Sequence, residues 1–135
     1  MSSADLDAVF EGRAGPGLHR VEGTAPEDLA EAAAGHGWVP IVAEVTGVAD
    51  KAGLLAALGA AGRFPDWVGG NWDALQDAFG DLSWLGPADG YLVVLVGWAG
   101  LGPGLDADRL VAESVLVSAA AEWADRGTPF VILVA

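Results

Sequence analysis

Tyr91-Leu92-Val93-Val94-Leu95-Val96-Gly97-Trp98 is a continuous apolar run of strand length, without the polar alternation of a strand that has one wet face. Such a run predicts a strand covered on both faces or set in a parallel sheet. Upstream, Trp38 to Val45 is rich in β-branched residues, and Pro40 sits near its start, where a missing N–H is tolerated. Downstream, Thr128 to Val134 reads as the last strand.

Helical patterns separate these runs. Asp50 is placed to cap a helix reaching about Ala61, with Leu54, Leu55 and Leu58 on its apolar side and Gly62 as its stop. Asn71 caps a second helix, Trp72 to Leu82. A third runs from Asp106 or Asp108 to about Asp125, offering Leu110, Val111, Val115, Val117 and Ala121 for burial. Strands alternating with helices predict an α/β fold around a short parallel sheet.

The first 37 residues read differently. Residues 1–16 show no sustained period and are expected to be a mobile tail. Within an extension spanning 17–37, Leu18 to Glu22 predicts a short edge strand. Thr24, Pro26 and Glu27 predict a capped helix from about Pro26 to Ala34, closed by Gly35. The main domain is then 38–135.

With 135 residues, 53% of them apolar, the chain has material for one compact domain and one core. Nineteen acidic residues face six Lys and Arg, a formal net charge of -13, which repels phosphate backbones and argues against direct nucleic-acid binding. Two readings fit that charge: a cationic partner, or simple solubility. The absence of cysteine removes disulfides, thiolate metal sites and cysteine nucleophiles. His19 and His36, the only histidines, read as surface or capping residues.

The first residues lack the basic and apolar regions of a secretory signal, so a cytoplasmic location is expected. The uncharged stretch Tyr91 to Leu105 is interrupted by four glycines and Pro103 and is too short to span a bilayer. No membrane association is expected.

The segment Phe64 to Trp84 carries the functional information. At 100° per residue from Trp72, the apolar Trp72, Leu75, Phe79 and Leu82 fall within about 80° of one another. Asp73, Asp77 and Asp81 then lie at about 100°, 140° and 180°, a carboxylate stripe opposite the core. No Lys or Arg occurs between Arg63 and Arg109, and like charges at this spacing repel one another. Either a cation outside the chain meets the stripe, or the stripe is a solvated face with Asp73 serving the helix dipole. Trp67 is equally open to two readings, as an aromatic anchor for a partner or as loop packing. One carboxylate per turn along a helix is a row rather than a converging cage, so neither a metal site nor any other cofactor is expected.

Phe64-Pro65-Asp66-Trp67-Val68-Gly69-Gly70-Asn71-Trp72-Asp73-Ala74-Leu75-Gln76-Asp77 resembles the segment of the barstar family that runs from its first helix into its second. These are intracellular protein inhibitors of secreted microbial ribonucleases. A weaker likeness lies in Ala112-Glu113-Ser114-Val115-Leu116, similar to the start of the family's last helix, with a terminal strand at the right distance. The resemblance covers about Trp38 to Val134. It implies a two-layer α/β fold with a short three-stranded parallel sheet, to which the extension adds an edge strand and a helix.

It also implies an inhibitor without enzymatic activity of its own, plugging the active site of a secreted or toxin-type cationic ribonuclease and monomeric when free. Trp67 matches the aromatic of the loop that enters the nuclease cleft, Asp73 and Asp77 match the two helix carboxylates of the contact surface, and Gly69 and Asn71 match the loop that shapes it. By the same analogy Asp77 takes the place of an RNA phosphate. Gly70, Gln76 and Asp81 complete the expected contact set. Gln76 stands where the family's namesake has tryptophan, Val68 where it has a second aromatic, and Ala121 where it has an interfacial glutamate, with Glu122 one position away. The competing expectation is an acidic protein-binding module of the same fold serving a partner that is not a nuclease.

Overall fold

The computed structural model describes residues 2, 3 and 5–135, with side chains from Asp5 onward. Strands β1 (Ser2–Ser3), β2 (Leu18–Arg20), β3 (Trp38–Glu44), β4 (Gly90–Val96) and β5 (Phe130–Val134) form one parallel sheet in the order β1-β2-β5-β4-β3. Helices α1 (Leu6–Phe10), α2 (Pro26–Gly35), α3 (Lys51–Ala61), α4 (Trp72–Phe79) and α5 (Asp106–Asp125) pack around it. The α/β architecture expected from the pattern is present.

The unbroken apolar run owes its character to position. β4 pairs with β3 from Trp38↔Gly90 to Glu44↔Val96 and with β5 from Tyr91↔Phe130 to Leu95↔Val134, so both its edges are used. Period two then sorts side chains to two covered faces. Ile41, Ala43, Tyr91, Val93, Leu95, Phe130 and Ile132 meet Leu54, Leu58, Phe79 and Leu116 of α3, α4 and α5. On the opposite face Trp38, Leu92, Val94 and Leu133 meet Val9 of α1 and Leu29 and Ala33 of α2. The 38–135 part supplies three strands and one helical layer; the extension adds β1, β2, α1 and α2, which make a third layer, and β2 is an inner strand between β1 and β5 rather than the expected edge strand.

β3 ends the sheet, and its open side is blunted. Pro40 offers no N–H there, and its carbonyl accepts from the Arg63 guanidinium at 2.9 Å. An edge so occupied is a poor template for another strand. Arg63 reaches it from a left-handed backbone, φ 53°, at the exit of α3.

Other expectations also require correction. Within 1–16, Asp5 caps α1 through a 3.1 Å bond from the Asp7 N–H, and Val9 is wholly buried; the signal, Leu6, Val9 and Phe10 on one side of a five-residue helix, is too short to register as a period. Met1 and Ala4 of that stretch lie outside the described residues. Ala25, not Thr24, stands at the N-cap of α2, with no side-chain bond, and Pro26 opens the helix. His19 is buried on β2, its Nε2–H donating to the Gly15 carbonyl at 2.7 Å, whereas His36 caps α2 and stacks on Phe10 with centroids 4.2 Å apart. α5 buries Ala112, Val115, Leu116 and Ala119, leaving Leu110 62% exposed. Two of the four are alanines, small enough to be buried wholly and easily missed when the larger Leu and Val are taken as the buried side.

Candidate functional site

Local chemistry builds the loop from residue 62 to 71. α3 stops at Gly62, where a Cβ would collide with the Phe64 ring. The chain then turns through Pro65, whose carbonyl accepts from the Val68 N–H at 3.1 Å. Asn71 closes the loop by capping α4, its Oδ1 accepting from the Ala74 N–H at 2.8 Å. This Asx-type cap is worth about 1 kcal/mol and fixes where α4 begins.

Aromatic rings fasten the loop to the core. Phe64 meets Phe79 edge to face at 5.0 Å and Trp84 at 5.6 Å, and Trp84 in turn meets Trp67 at 5.9 Å. The Trp84 Nε1–H donates to the Gly62 carbonyl at 2.9 Å. Trp67 therefore rests on Trp84 yet remains 72% exposed, a large apolar surface held out to solvent.

α4 turns Leu75, Ala78 and Phe79 inward and leaves Asp73, Gln76 and Asp77 exposed. The helix is shorter than expected: it ends at Phe79 with Gly80 as C-cap, and Leu82, though buried, lies beyond it with φ 52°. Asp81 is thus on the turn after the helix, its Oδ1 accepting from the Ser83 N–H at 3.3 Å. It still borders the same cleft as Asp77.

Trp67, Val68, Gly69, Asp77 and Asp81 converge on a cleft of about 210 Å³ between loop and helix. Gly70 lies instead on a neighbouring groove of about 350 Å³ between the loop and α3, which Val68 and Gly69 also border. Asp73 and Gln76 stand on the exposed helix surface outside the cleft, and Asn71 spends its side chain on the cap. Another apolar groove, between residues 12–17 and α5, has no charged side chain in its lining and offers a cation nothing.

The chain's own cations do not neutralise the stripe. Among the described residues the ion pairs are Arg13–Glu11, Arg20–Glu22 and Arg109–Asp106, and none includes Asp73, Asp77 or Asp81. Nor is there, among the described residues, a cluster of three side chains able to hold a metal. No described helix is long and apolar enough to cross a membrane.

The far rim of this surface comes from the end of α5, where Trp123 and Arg126 went unseen in the sequence. Arg126 donates to the Gly80 carbonyl at 2.7 Å and lies 4.4 Å over the Trp123 ring, while Trp123 Nε1–H donates to the Phe79 carbonyl at 2.8 Å. The Glu122 carboxylate lies against Gly80 as well. Trp123 and Arg126 thus bind the carbonyls at the end of α4, a tertiary duty that no local pattern announces.

A loop pinned by aromatics, followed by an Asn-capped helix with outward carboxylates, sits within the segment matched by the family model described as Barstar (barnase inhibitor), residues 38–135. The chain belongs to the barstar family. No curated protein and no solved structure gives a significant match. The barstar family is one of inhibitors rather than enzymes. Its model begins at Trp38, the first residue of β3, so β1, α1, β2 and α2 lie outside it.

Proposed function

We propose that this protein is a stoichiometric inhibitor of a cationic microbial-type ribonuclease, acting in the cytoplasm as a monomer. A ribonuclease cleft presents Arg, Lys or His to grip a phosphodiester, and fixed carboxylates engage those groups by charge-assisted hydrogen bonds. Asp77 stands in for the RNA phosphate, and Asp73 and Asp81 extend the negative line to either side. Trp67 supplies a rigid face beside them, and the cleft between has room for one cationic head group. Gly69 and Gly70 let the partner's backbone come close to the loop.

One observation carries this reading: Asp73, Asp77 and Asp81 are exposed and form no ion pair with any described residue, next to a tryptophan that is itself exposed. A solvated structural face accounts for the acids but not for the outward indole. The test is a titration of purified protein against a panel of cationic microbial ribonucleases. RNA cleavage by at least one should vanish near one molar equivalent. If none is inhibited while an unrelated protein is captured through Asp77, the binding-module reading takes its place.

A further inference from the structure

Arg126 is out of place on a surface that meets a cationic partner. Generic electrostatics disfavours a positive charge there, and its neighbours offer it compensation that it does not take. Glu122 lies one helical turn before it and against the same Gly80, and Asp81 follows Gly80 directly, yet Arg126 forms an ion pair with neither. Both Asp81 and Arg126 act electrostatically on the buried Tyr91 hydroxyl, in opposite directions, so the two charges share one corner. The guanidinium bonds a neutral carbonyl at 2.7 Å and stacks at 4.4 Å on Trp123.

That arrangement holds the planar head group still while most of its donors remain unspent. A guanidinium has five N–H groups, and its fork matches a carboxylate in bidentate geometry. Because stacking and the Gly80 bond have already ordered the side chain, little further entropy is lost when an acid arrives.

We infer that Arg126 is an anchor for an aspartate or glutamate of the partner, set at the border of the cationic cleft that the α4 carboxylates engage. This rests on the inhibitor reading and adds a requirement to it: the cognate nuclease carries an acid where its basic cleft meets the C-terminal end of α4. Arg126 then acts as a specificity determinant, rejecting nucleases with Lys or Arg at that corner.

Two explanations for Arg126 predict opposite signs. If it merely ties down the end of α4, Arg126→Gln makes the surface more negative, and binding to a cationic nuclease that the wild-type protein inhibits tightens or stays level. If it anchors an acid, the same change weakens binding at least about tenfold, mainly through faster dissociation. Arg126→Lys then recovers only part of the loss, and thermal unfolding of both variants verifies that they fold. An Asp/Glu→Ala scan around the nuclease cleft should find one position at which Arg126→Gln has no additional effect. Unchanged or tighter binding by Arg126→Gln overturns the anchor while leaving inhibition intact. Failure of the wild-type protein to inhibit any nuclease in the panel removes both.

Discussion

The Trp67 indole stands on the Trp84 ring edge to face, centroids 5.9 Å apart at 86°. Trp84 is itself fixed by Phe64 and by the Gly62 carbonyl, so the exposed ring is the outer end of an aromatic stack rooted in the core at Phe79. In the proposed complex, a ring supported in this way meets the partner without first having to order itself.

Trp67→Ala should separate binding from folding. The ring is mostly in water, so its loss should change unfolding free energy by no more than about 0.5 kcal/mol. Nuclease affinity should fall by about 2 kcal/mol or more, as for an aromatic hot spot. Urea denaturation and a binding titration on the same sample measure both. Trp84→Ala should harm both, since it removes the support as well as a packed ring.

Leu29→Ala addresses the extension. Leu29 is fully buried on the sheet face that the family segment leaves bare, and the truncation should cost about 2–5 kcal/mol in chemical denaturation. Inhibition by the folded fraction should be unaffected, because α2 lies across the sheet from α4. Removing residues 1–37 entirely would expose Leu92, Val94 and Leu133 together, and the fragment should bind a hydrophobic dye and lose cooperative unfolding.

Tyr91 gives a pH signature at the alkaline end. Burial pushes its hydroxyl above the ordinary value of 10.0; the Arg126 charge partly opposes this and Asp81 adds to it. The folded state therefore keeps the proton over a range in which the unfolded chain has released it, and stability falls as pH rises above about 10. Below that pH the contribution is complete. Tyr91 is the only tyrosine, so phenolate absorbance follows this group alone, and Tyr91→Phe should flatten the alkaline decline in melting temperature.

Opposed net charges should accelerate encounter. With a formal charge of -13 on this chain, the proposed inhibition requires an association rate with a basic nuclease that drops steeply between low and physiological salt, while dissociation changes little. Stopped-flow mixing at several ionic strengths measures this; a rate indifferent to salt speaks for a contact that is not electrostatic.

The parallel sheet was legible in Tyr91 to Trp98 because a strand paired on both edges and covered on both faces leaves no polar position to interrupt the run. Asp50 and Asn71 were legible as caps because a cap is a local bond, and both side chains make it, to Gly53 and Ala74. α1 was not, since five residues give a single turn of pattern. Helical spacing correctly left Asp73 and Asp77 exposed on α4, but it could not place Asp81, which lies past the helix end. What the chain could not announce locally are contacts between distant segments: Trp84 under Trp67, and Arg126 on Gly80, 46 positions away.

The most direct measurement compares Asp77→Ala with wild type in binding to an inhibited ribonuclease, with Leu110→Ala, on α5, as a surface control. If Asp77 occupies the phosphate position, its removal strands buried cationic groups of the enzyme, and affinity should fall by several kcal/mol while the unfolding curve hardly moves. A loss no greater than the control's would mean that the carboxylate stripe is only a wet surface, and that inhibition, if present, works from elsewhere on the molecule.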